Sequence, residues 1–216
     1  FADLQYREIN YKTAGIDSDL RTINVGANYS FFNPKVGLNY QINPSSSIYA
    51  SYAIGNREPV RNGFIDASIP PKSENLQDLE FGYKRVTERY KLGANFYNMQ
   101  YKNQLVLTGE LNDVGNPVRT NVANSFRRGV ELEGSVAITK KLVWGANATF
   151  SQNEILKYND VFYDYGVNWD EFNVQETTLE NTDISFSPNL IVSSMLEFTP
   201  LKRFTIGLNS KYVGEQ

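Results

Sequence analysis

The chain has 216 residues, with 21 basic and 24 acidic side chains and a formal net charge of −3. This balance argues against a nucleic-acid-binding protein, which needs a basic surface. Histidine and cysteine are both absent, which excludes disulfides, thiolate metal sites and catalysis by an imidazole base. With a mean hydropathy of −0.43 and no apolar run of the length that a bilayer requires, the sequence contains no transmembrane helix.

Apolar and polar residues alternate along most of the chain, which is the period of a β-strand. One phrase, an apolar residue followed by Gly, then Leu or Ala, then Asn, recurs at residues 25–28, 36–39, 92–95, 144–147 and 206–209. Neighbouring side chains of a strand point to opposite faces, so one face carries large apolar groups and the other carries Gly and Asn. A soluble sheet usually fills its wet face with Lys, Glu and Thr. The pattern therefore favours a membrane β-barrel with lipid outside and a polar lumen.

In chain order the alternation predicts about nine strands, the clearest of them at residues 36–42, 48–54, 79–83, 90–96, 130–138, 142–150, 190–198 and 204–212. We expect short turns at 43–46, 87–89, 139–141 and 199–202. Long polar connections are expected at 13–29, 58–75, 108–121 and 158–182. A strict alternation of short and long connections is typical of an up-and-down barrel, and a Greek-key sandwich does not require it. We predict an all-β, antiparallel up-and-down transmembrane barrel with long loops at one rim and short turns at the other.

Five polar residues are predicted to face the lumen of this barrel. Glu131 and Glu133 lie two residues apart on one strand face, and Arg127 shares that face as a candidate partner. Asn95 and Asn147 end two of the recurrent phrases and belong to the polar face. The two glutamates formally make a carboxylate pair, but lumen charges that meet basic groups of an internal domain or of adjacent strands are the favoured interpretation. We expect no catalytic residue.

The long connections supply candidates for ligand binding, because loops on a rigid scaffold often carry function. Arg57 and Arg61 could pair with carboxylate or phosphate groups, and the aromatic rings of Phe64, Tyr163 and Trp169 could stack on a ligand. The alternatives are an ordinary solvated loop for the first group and mutual packing of the aromatic side chains for the second.

Acidic residues are concentrated in the last long connection, at Asp160, Asp164, Asp170 and Glu171. Calcium binding needs several oxygen ligands on a flexible loop, but this spacing matches no EF-hand loop. A solvated acidic loop is the favoured interpretation. We expect neither a metal site nor a cofactor.

Several segments resemble the barrel of TonB-dependent outer-membrane receptors: residues 31–37 followed by 49–53, then 74–84, 95–97, 101–105 and 128–134. The resemblance covers essentially the whole chain. It implies a 22-stranded barrel, a separate N-terminal plug domain inside it, and energy delivered by the TonB protein through the plug. Residues 1–216 would then be a partial barrel domain, with the plug and the closing C-terminal strands absent.

The resemblance also implies a function, namely active uptake of a scarce, large nutrient across the outer membrane of a Gram-negative bacterium. A ferric siderophore is the first expectation for the ligand, with cobalamin, haem or an oligosaccharide as alternatives. The expected partners are outer-membrane lipid, the protein's own plug, TonB via the plug and a small molecule such as a metal chelate. A soluble all-β module that binds a ligand or carbohydrate is the competing hypothesis. A barrel enzyme is a third, and the lack of histidine counts against it.

Overall fold

The computed structural model describes the whole chain except residues 17–19, 21, 60–63, 65–70, 112–116, 170–172 and 216. The described residues form ten β-strands: β1 (Ala2–Ile16), β2 (Thr22–Asn43), β3 (Ser46–Arg57), β4 (Glu74–Val86), β5 (Tyr90–Leu111), β6 (Pro117–Thr139), β7 (Leu142–Asp164), β8 (Asn173–Asp183), β9 (Leu190–Leu201) and β10 (Phe204–Val213). The described part of the chain has no helix of sufficient length and apolarity to cross a bilayer.

All ten strands belong to one antiparallel sheet in which each strand from β1 to β7 pairs with the next. Strand β7 then has two partners on the same side. Its first half pairs with β9, from Leu142 opposite Phe198 to Phe150 opposite Leu190. Its second half pairs with β8, from Glu154 opposite Asp183 to Asp164 opposite Asn173. Strands β8 and β9 therefore occupy one place in the sheet, and β10 follows β9. The predicted all-β, up-and-down order is confirmed.

Three of the four predicted long connections are wrong in extent, because most of their residues are paired strand. Strand β1 continues to Ile16 and β2 already begins at Thr22. Likewise, β5 continues to Leu111 and β6 begins at Pro117. In these segments polar residues occur on both faces of the sheet. The sequence therefore shows no alternation there, and the segments were predicted to be loops. Backbone pairing does not need an apolar face, so the ladder continues beyond the alternating region. Only the 58–75 connection remains long, and it includes residues 58–59 and 71–73 outside any strand.

The large apolar side chains lie mostly on an exposed face rather than in a core. On β2, Leu38 and Tyr40 are 74% and 65% exposed. The described core cluster is small and consists of Val106, Val122, Ile155 and Ile184. Soluble monomers rarely expose an apolar surface that continues across a whole sheet, so this face needs an apolar environment. Its members include Leu4, Tyr6, Phe32, Val36, Phe81, Leu92, Phe96, Leu132, Trp144, Phe150, Ile206 and Leu208.

Glycines on the opposite, polar face make room for side chains that cross from a neighbouring strand. A Cβ on Gly82 would overlap the ring of Tyr49, which lies directly opposite it in the β3–β4 register. A Cβ on Gly129 would lie 2.7 Å from Oη of Tyr97 and would also overlap the backbone oxygen of Phe150. Aromatic rings that cover glycines in this way hold neighbouring strands in register.

We expect Gly129→Ala to lower the free energy of unfolding by about 1–3 kcal/mol, because a backbone oxygen cannot move aside without shifting the strand. Gly55→Ala is the matched control. A Cβ there has no described atom within 4 Å. Its effect should stay within about 0.5 kcal/mol. Denaturant unfolding of the intact protein in detergent measures both variants, and equal losses would contradict the packing seen at Gly129.

Candidate functional site

The five residues predicted to face the lumen share one face of the sheet. Asn95 lies opposite Glu131 in the β5–β6 register, and Glu133 lies opposite Asn147 in the β6–β7 register. Arg127 is on the same strand as the glutamates at an even spacing, so its side chain belongs to the same face. The register thus brings all five onto the face opposite the exposed apolar residues.

A chain of hydrogen bonds crosses this polar face from β3 to β6. The hydroxyl of Tyr49 donates to Oδ1 of Asn95 at 2.8 Å, and Nδ2 of Asn95 donates to Oε2 of Glu131 at 3.3 Å. Farther along the sheet, the Ser193 hydroxyl donates to Oδ1 of Asn147 at 2.6 Å. Two of the five asparagines of the recurrent phrase, Asn95 and Asn147, therefore join neighbouring strands through their side chains.

Arg127 does not pair with Glu131 or Glu133, so the expected partnership is wrong. Its Nη1 donates to the hydroxyl of Ser187 at 2.7 Å, in the segment between β8 and β9. Asn153, which lies opposite Arg127, donates to the backbone oxygen of Ser187 at 3.3 Å. Arg127 is drawn away because the break between β8 and β9 presents these acceptors directly beside it. The two glutamate carboxylates have no basic partner among the residues that the structure describes.

Two more carboxylates belong to this polar face and were not singled out from the sequence. Asp78 lies opposite Met99, and Glu80 lies opposite Tyr97, both in the β4–β5 register. Oδ1 of Asp78 is buried and has no hydrogen-bond partner among the described residues. A buried acceptor without a donor is costly, so this oxygen is suited to receive a donor from another part of the protein. The even spacing of Asp78, Glu80 and Gly82 on β4 was the available sequence signal.

A second group, which we term the mouth cluster, consists of Arg7, Tyr29, Phe31 and Glu58. Phe31 is buried, and the Arg7 guanidinium lies 5.4 Å from the centre of its ring. Nη2 of Arg7 forms an ion pair with Oε2 of Glu58 at 2.6 Å, which ties the start of the 58–75 connection to β1. The rings of Tyr29 and Phe31 stack at 5.7 Å.

The mouth cluster lies on the polar face, beyond the apolar segment of β2. Phe31 and Tyr29 have the same strand parity as Gly37 and Lys35, but they lie at the end of β2 that is farther from the short turn at Asn43, beyond the exposed apolar segment 32–42. Burial, followed by the nearby Glu58 carboxylate, raises the pKa of Tyr29 above its ordinary value. The cluster therefore combines an aromatic surface with one cation and one anion.

The predicted loop candidates fall into three places. Phe64 stacks on Tyr11 of β1 at 5.3 Å, which extends the aromatic surface of the mouth cluster. Arg57 pairs with Glu74 across the β3–β4 register, so its charge is compensated. Trp169 is 80% exposed and stacks on Tyr165 at 5.9 Å, on the separate β7–β8 hairpin.

The other two loop candidates cannot be placed in the same detail. The backbone of Tyr163 pairs with Val174 in the β7–β8 ladder, so this residue is part of a strand rather than a loop. Arg61 lies outside the described residues, as do Asp170 and Glu171 of the acidic stretch. Within the described ranges no group of three His, Cys, Asp or Glu side chains is arranged to hold a metal ion.

Sequence reasoning missed Arg7, Tyr11 and Phe31, because the first clear strand that it predicted begins at residue 36. The alternation of Arg7, Ile9 and Tyr11 with polar residues was a usable signal for β1. Their clustering with Phe64 depends on pairing between β1 and β2 and on the path of the 58–75 connection. Neither can be obtained from strand periodicity.

Comparison with known proteins identifies the architecture. The family model described as TonB dependent receptor-like, beta-barrel matches residues 4–216. The siderophore receptor PiuA from Acinetobacter baumannii is 20% identical, with a TM-score of 0.68 over 98% of this chain and 30% of that one. The ferric yersiniabactin uptake receptor FyuA from Yersinia pestis is 14% identical, with a TM-score of 0.65 over 99% and 30%. The copper transporter OprC is 15% identical, with a TM-score of 0.68 over 91% and 29%.

At these identities the solved structures establish a common fold. The chain spans less than a third of the length of each of the three structures. No curated protein matches the sequence significantly.

Proposed function

The chain belongs to the family of TonB-dependent receptor β-barrels, and on that premise we propose that it forms part of an outer-membrane receptor for active nutrient uptake in a Gram-negative bacterium. The observation that carries this proposal is a distribution of side chains opposite to that of a soluble protein, which buries its large apolar groups. The large apolar groups are exposed on one face, and hydrogen-bonded polar groups cover the other. Lipid satisfies the first face and a hydrated, plug-filled lumen satisfies the second. The receptor moves its ligand and makes or breaks no bond in it.

The proposed ligand is a ferric siderophore, with cobalamin, haem or an oligosaccharide as alternatives. Two of the similar solved structures are named as receptors for a siderophore or its ferric complex, and a third is named as a copper transporter. A metal, free or held in a chelate, is the chemistry that these names share. The mouth cluster and Phe64 offer such a chelate an aromatic surface beside the ion pair of Arg7 and Glu58. Arg57, Arg61, Tyr163 and Trp169 remain proposed ligand contacts.

The proposed occupant of the lumen is the receptor's own plug, through which TonB acts. The carboxylates of Asp78 and Glu131 then receive donors and basic groups from the plug, and Glu133 faces the same lumen. The unpartnered Oδ1 of Asp78 supports this role. Asn95 and Asn147 face the same lumen, but their side chains are engaged in joining strands. Arg127 serves the wall by holding the segment that contains Ser187.

Uptake of iron from defined ferric siderophores tests the function directly. Cells that express the full-length receptor should accumulate radiolabelled iron, and loss of either the receptor or TonB should abolish the accumulation. The competing soluble binding module predicts a protein that stays monomeric without detergent and does not enter the outer membrane. Receptor-dependent uptake that persists without TonB, or recovery of the protein in the soluble fraction, would contradict the proposal.

We expect shortening of the outer connections to weaken ligand binding while barrel assembly stays normal. Removing residues 60–70, or separately the tip of the β7–β8 hairpin at 166–171, should raise the Kd of the purified receptor by about tenfold or more, which corresponds to ~1.4 kcal/mol. Replacing Lys140 and Lys141 in the β6–β7 turn by Ala is the control at the opposite rim. Heat-modifiable gel mobility verifies folding, and an unchanged Kd in both deletions would place recognition on the plug and inner wall.

A further inference from the structure

A cavity of about 620 Å³ lies on the polar face in the part of the sheet formed by β4 to β10. Lysines from three different strands line it, together with small and amide-bearing residues. We term it the lysine trough, and its defining residues are Lys84, Lys91, Glu133, Asn147, Ser193 and Lys211. None of the three lysines was singled out by sequence reasoning, because Lys211 comes near Lys84 and Lys91 only through the pairing of the strands from β4 to β10.

The strand register explains how the lysine trough forms. A continuous row of paired residues runs across six strands, namely Lys84, Gly93, Glu133, Asn147, Ser193 and Lys211. The next row toward the short turns contains Lys91, Ser135, Gly145, Met195 and Asn209. Gly93 in the first row, and Ser135 and Gly145 in the second, leave a depression, and the long lysine side chains stand at its two ends.

The charges in the trough are not balanced from within the described structure. Its lining contains three lysines and one carboxylate, Glu133. The Glu133 side chain lies over Gly93, where a Cβ would stand 2.6 Å from Oε1. None of the three lysines has an ion-paired or hydrogen-bonded partner in the described part of the chain. All three lysines are exposed on the sheet. Inside a closed barrel, a cleft lined mainly by one sign of charge attracts groups of the opposite sign.

The surroundings of the trough specify the charge pattern of its occupant. On β4 the same face presents Asp78, Glu80, Gly82 and Lys84 in succession, so acidic residues give way to lysine toward the short turn. Successive residues on one face are about 6.7 Å apart, which separates Lys84 from Glu80 by about 13 Å. A complementary body in the lumen therefore carries acidic groups beside the trough.

We propose that the lysine trough binds an acidic segment of the receptor's plug domain and so fixes the plug in the half of the barrel that is nearer the short turns. The inference rests on the proposed function, because it requires a plug. It adds the place of contact, the sign of the charge and the three lysines that make it. The acidic segment supplies counter-anions for the three lysines, and Gly93, Ser135 and Gly145 leave room for its backbone.

Zero-length carbodiimide cross-linking of the full-length receptor tests the contact, since it joins a lysine to a carboxylate only where the two touch. Mass spectrometry should find Lys84, Lys91 and Lys211 linked to Asp or Glu residues of the plug. Lys102 lies on the opposite face, opposite Asn75, and should give no link to the plug. Links from the three lysines only to carboxylates of the barrel, or their complete absence, would overturn the proposal.

Charge reversal supplies a second measurement on the same receptor. Lys84→Glu combined with Lys211→Glu should make proteolysis of the plug about tenfold faster, because two attractions become repulsions. Glu133→Gln removes the trough's own anion and should slow proteolysis or leave it unchanged. Lys102→Glu is the matched control and should have no effect. Equal proteolysis in the double reversal and the wild-type receptor would also overturn the proposal.

The alternative occupant is a small anion from solution. If added citrate shields the three lysines from acetylation and the plug cross-links are missing, the trough is an anion site and the proposal is wrong. The iron-uptake assay on the same preparations distinguishes a failure of the trough proposal from a failure of the proposed function. A receptor that transports normally without these cross-links refutes only the trough, whereas a protein without a plug or TonB-dependent uptake refutes the proposed function.

Discussion

The isolated 216-residue chain is expected to form no conducting pore in liposomes. Within the described residues, β1 pairs only with β2, and β10 pairs only with β9, so each presents one edge of unpaired backbone groups. Every unsatisfied N–H or C=O in the hydrocarbon region costs several kcal/mol, and a strand edge carries a row of them. The sheet therefore needs further strands before it can cross a membrane. Single-channel recording on liposomes refolded with the isolated chain measures this directly.

The full-length receptor, reconstituted in the same liposomes, is the control for folding and orientation. It should insert and show heat-modifiable mobility, while the isolated chain should aggregate or remain at the membrane surface. Defined ion conductance by the isolated chain would contradict the prediction. It would show that β1 and β10 can satisfy each other, or the edges of a second copy, which the described pairing does not include.

Strand periodicity predicted the wall of the barrel well, because only one arrangement puts the apolar residues of every strand on one face. On β6, for example, Val130 and Leu132 alternate with Glu131 and Glu133, and a shift by one residue would exchange the faces. Pairing partners followed from the order of short turns. The extents of β1, β5 and β8 could not be predicted in the same way, since polar residues on both faces leave no period to detect.

The candidate site was predictable only in part, because its contacts depend on neighbours that are distant in sequence. The alternation of side chains along each strand placed Asn95 and Glu131 on a common face. Their hydrogen bond also requires the register of β5 and β6, which the sequence does not show. The pairing of Arg127 failed because the acceptor, Ser187, lies in an interruption between β8 and β9 that has no sequence signature. Likewise, the lysine trough depends on the register of six strands.

The second large effect concerns the two faces of the sheet and is expected from Leu132→Arg in the full-length receptor. Leu132 is 44% exposed and lies between Ala94 and Ala148, all on the apolar face. An arginine on the lipid-facing side near the middle of the bilayer costs about 2–4 kcal/mol, because its charge has neither water nor a counter-ion there. Unfolding by denaturant, followed by heat-modifiable mobility, should show a loss of this size.

Asn147→Arg is the matched control, because it introduces the same side chain on a neighbouring strand with the opposite parity. Asn147 lies opposite Glu133 and faces the lysine trough, where water or the plug can solvate a new charge. Its cost should be smaller, and it should include the lost hydrogen bond from Ser193, about 1 kcal/mol. A larger loss for Asn147→Arg than for Leu132→Arg would mean that the faces are reversed, with the glycines and asparagines toward lipid. The exposed rows from Leu4 to Leu208 would then have to line the lumen, where a hydrated interior would leave their apolar side chains unsatisfied.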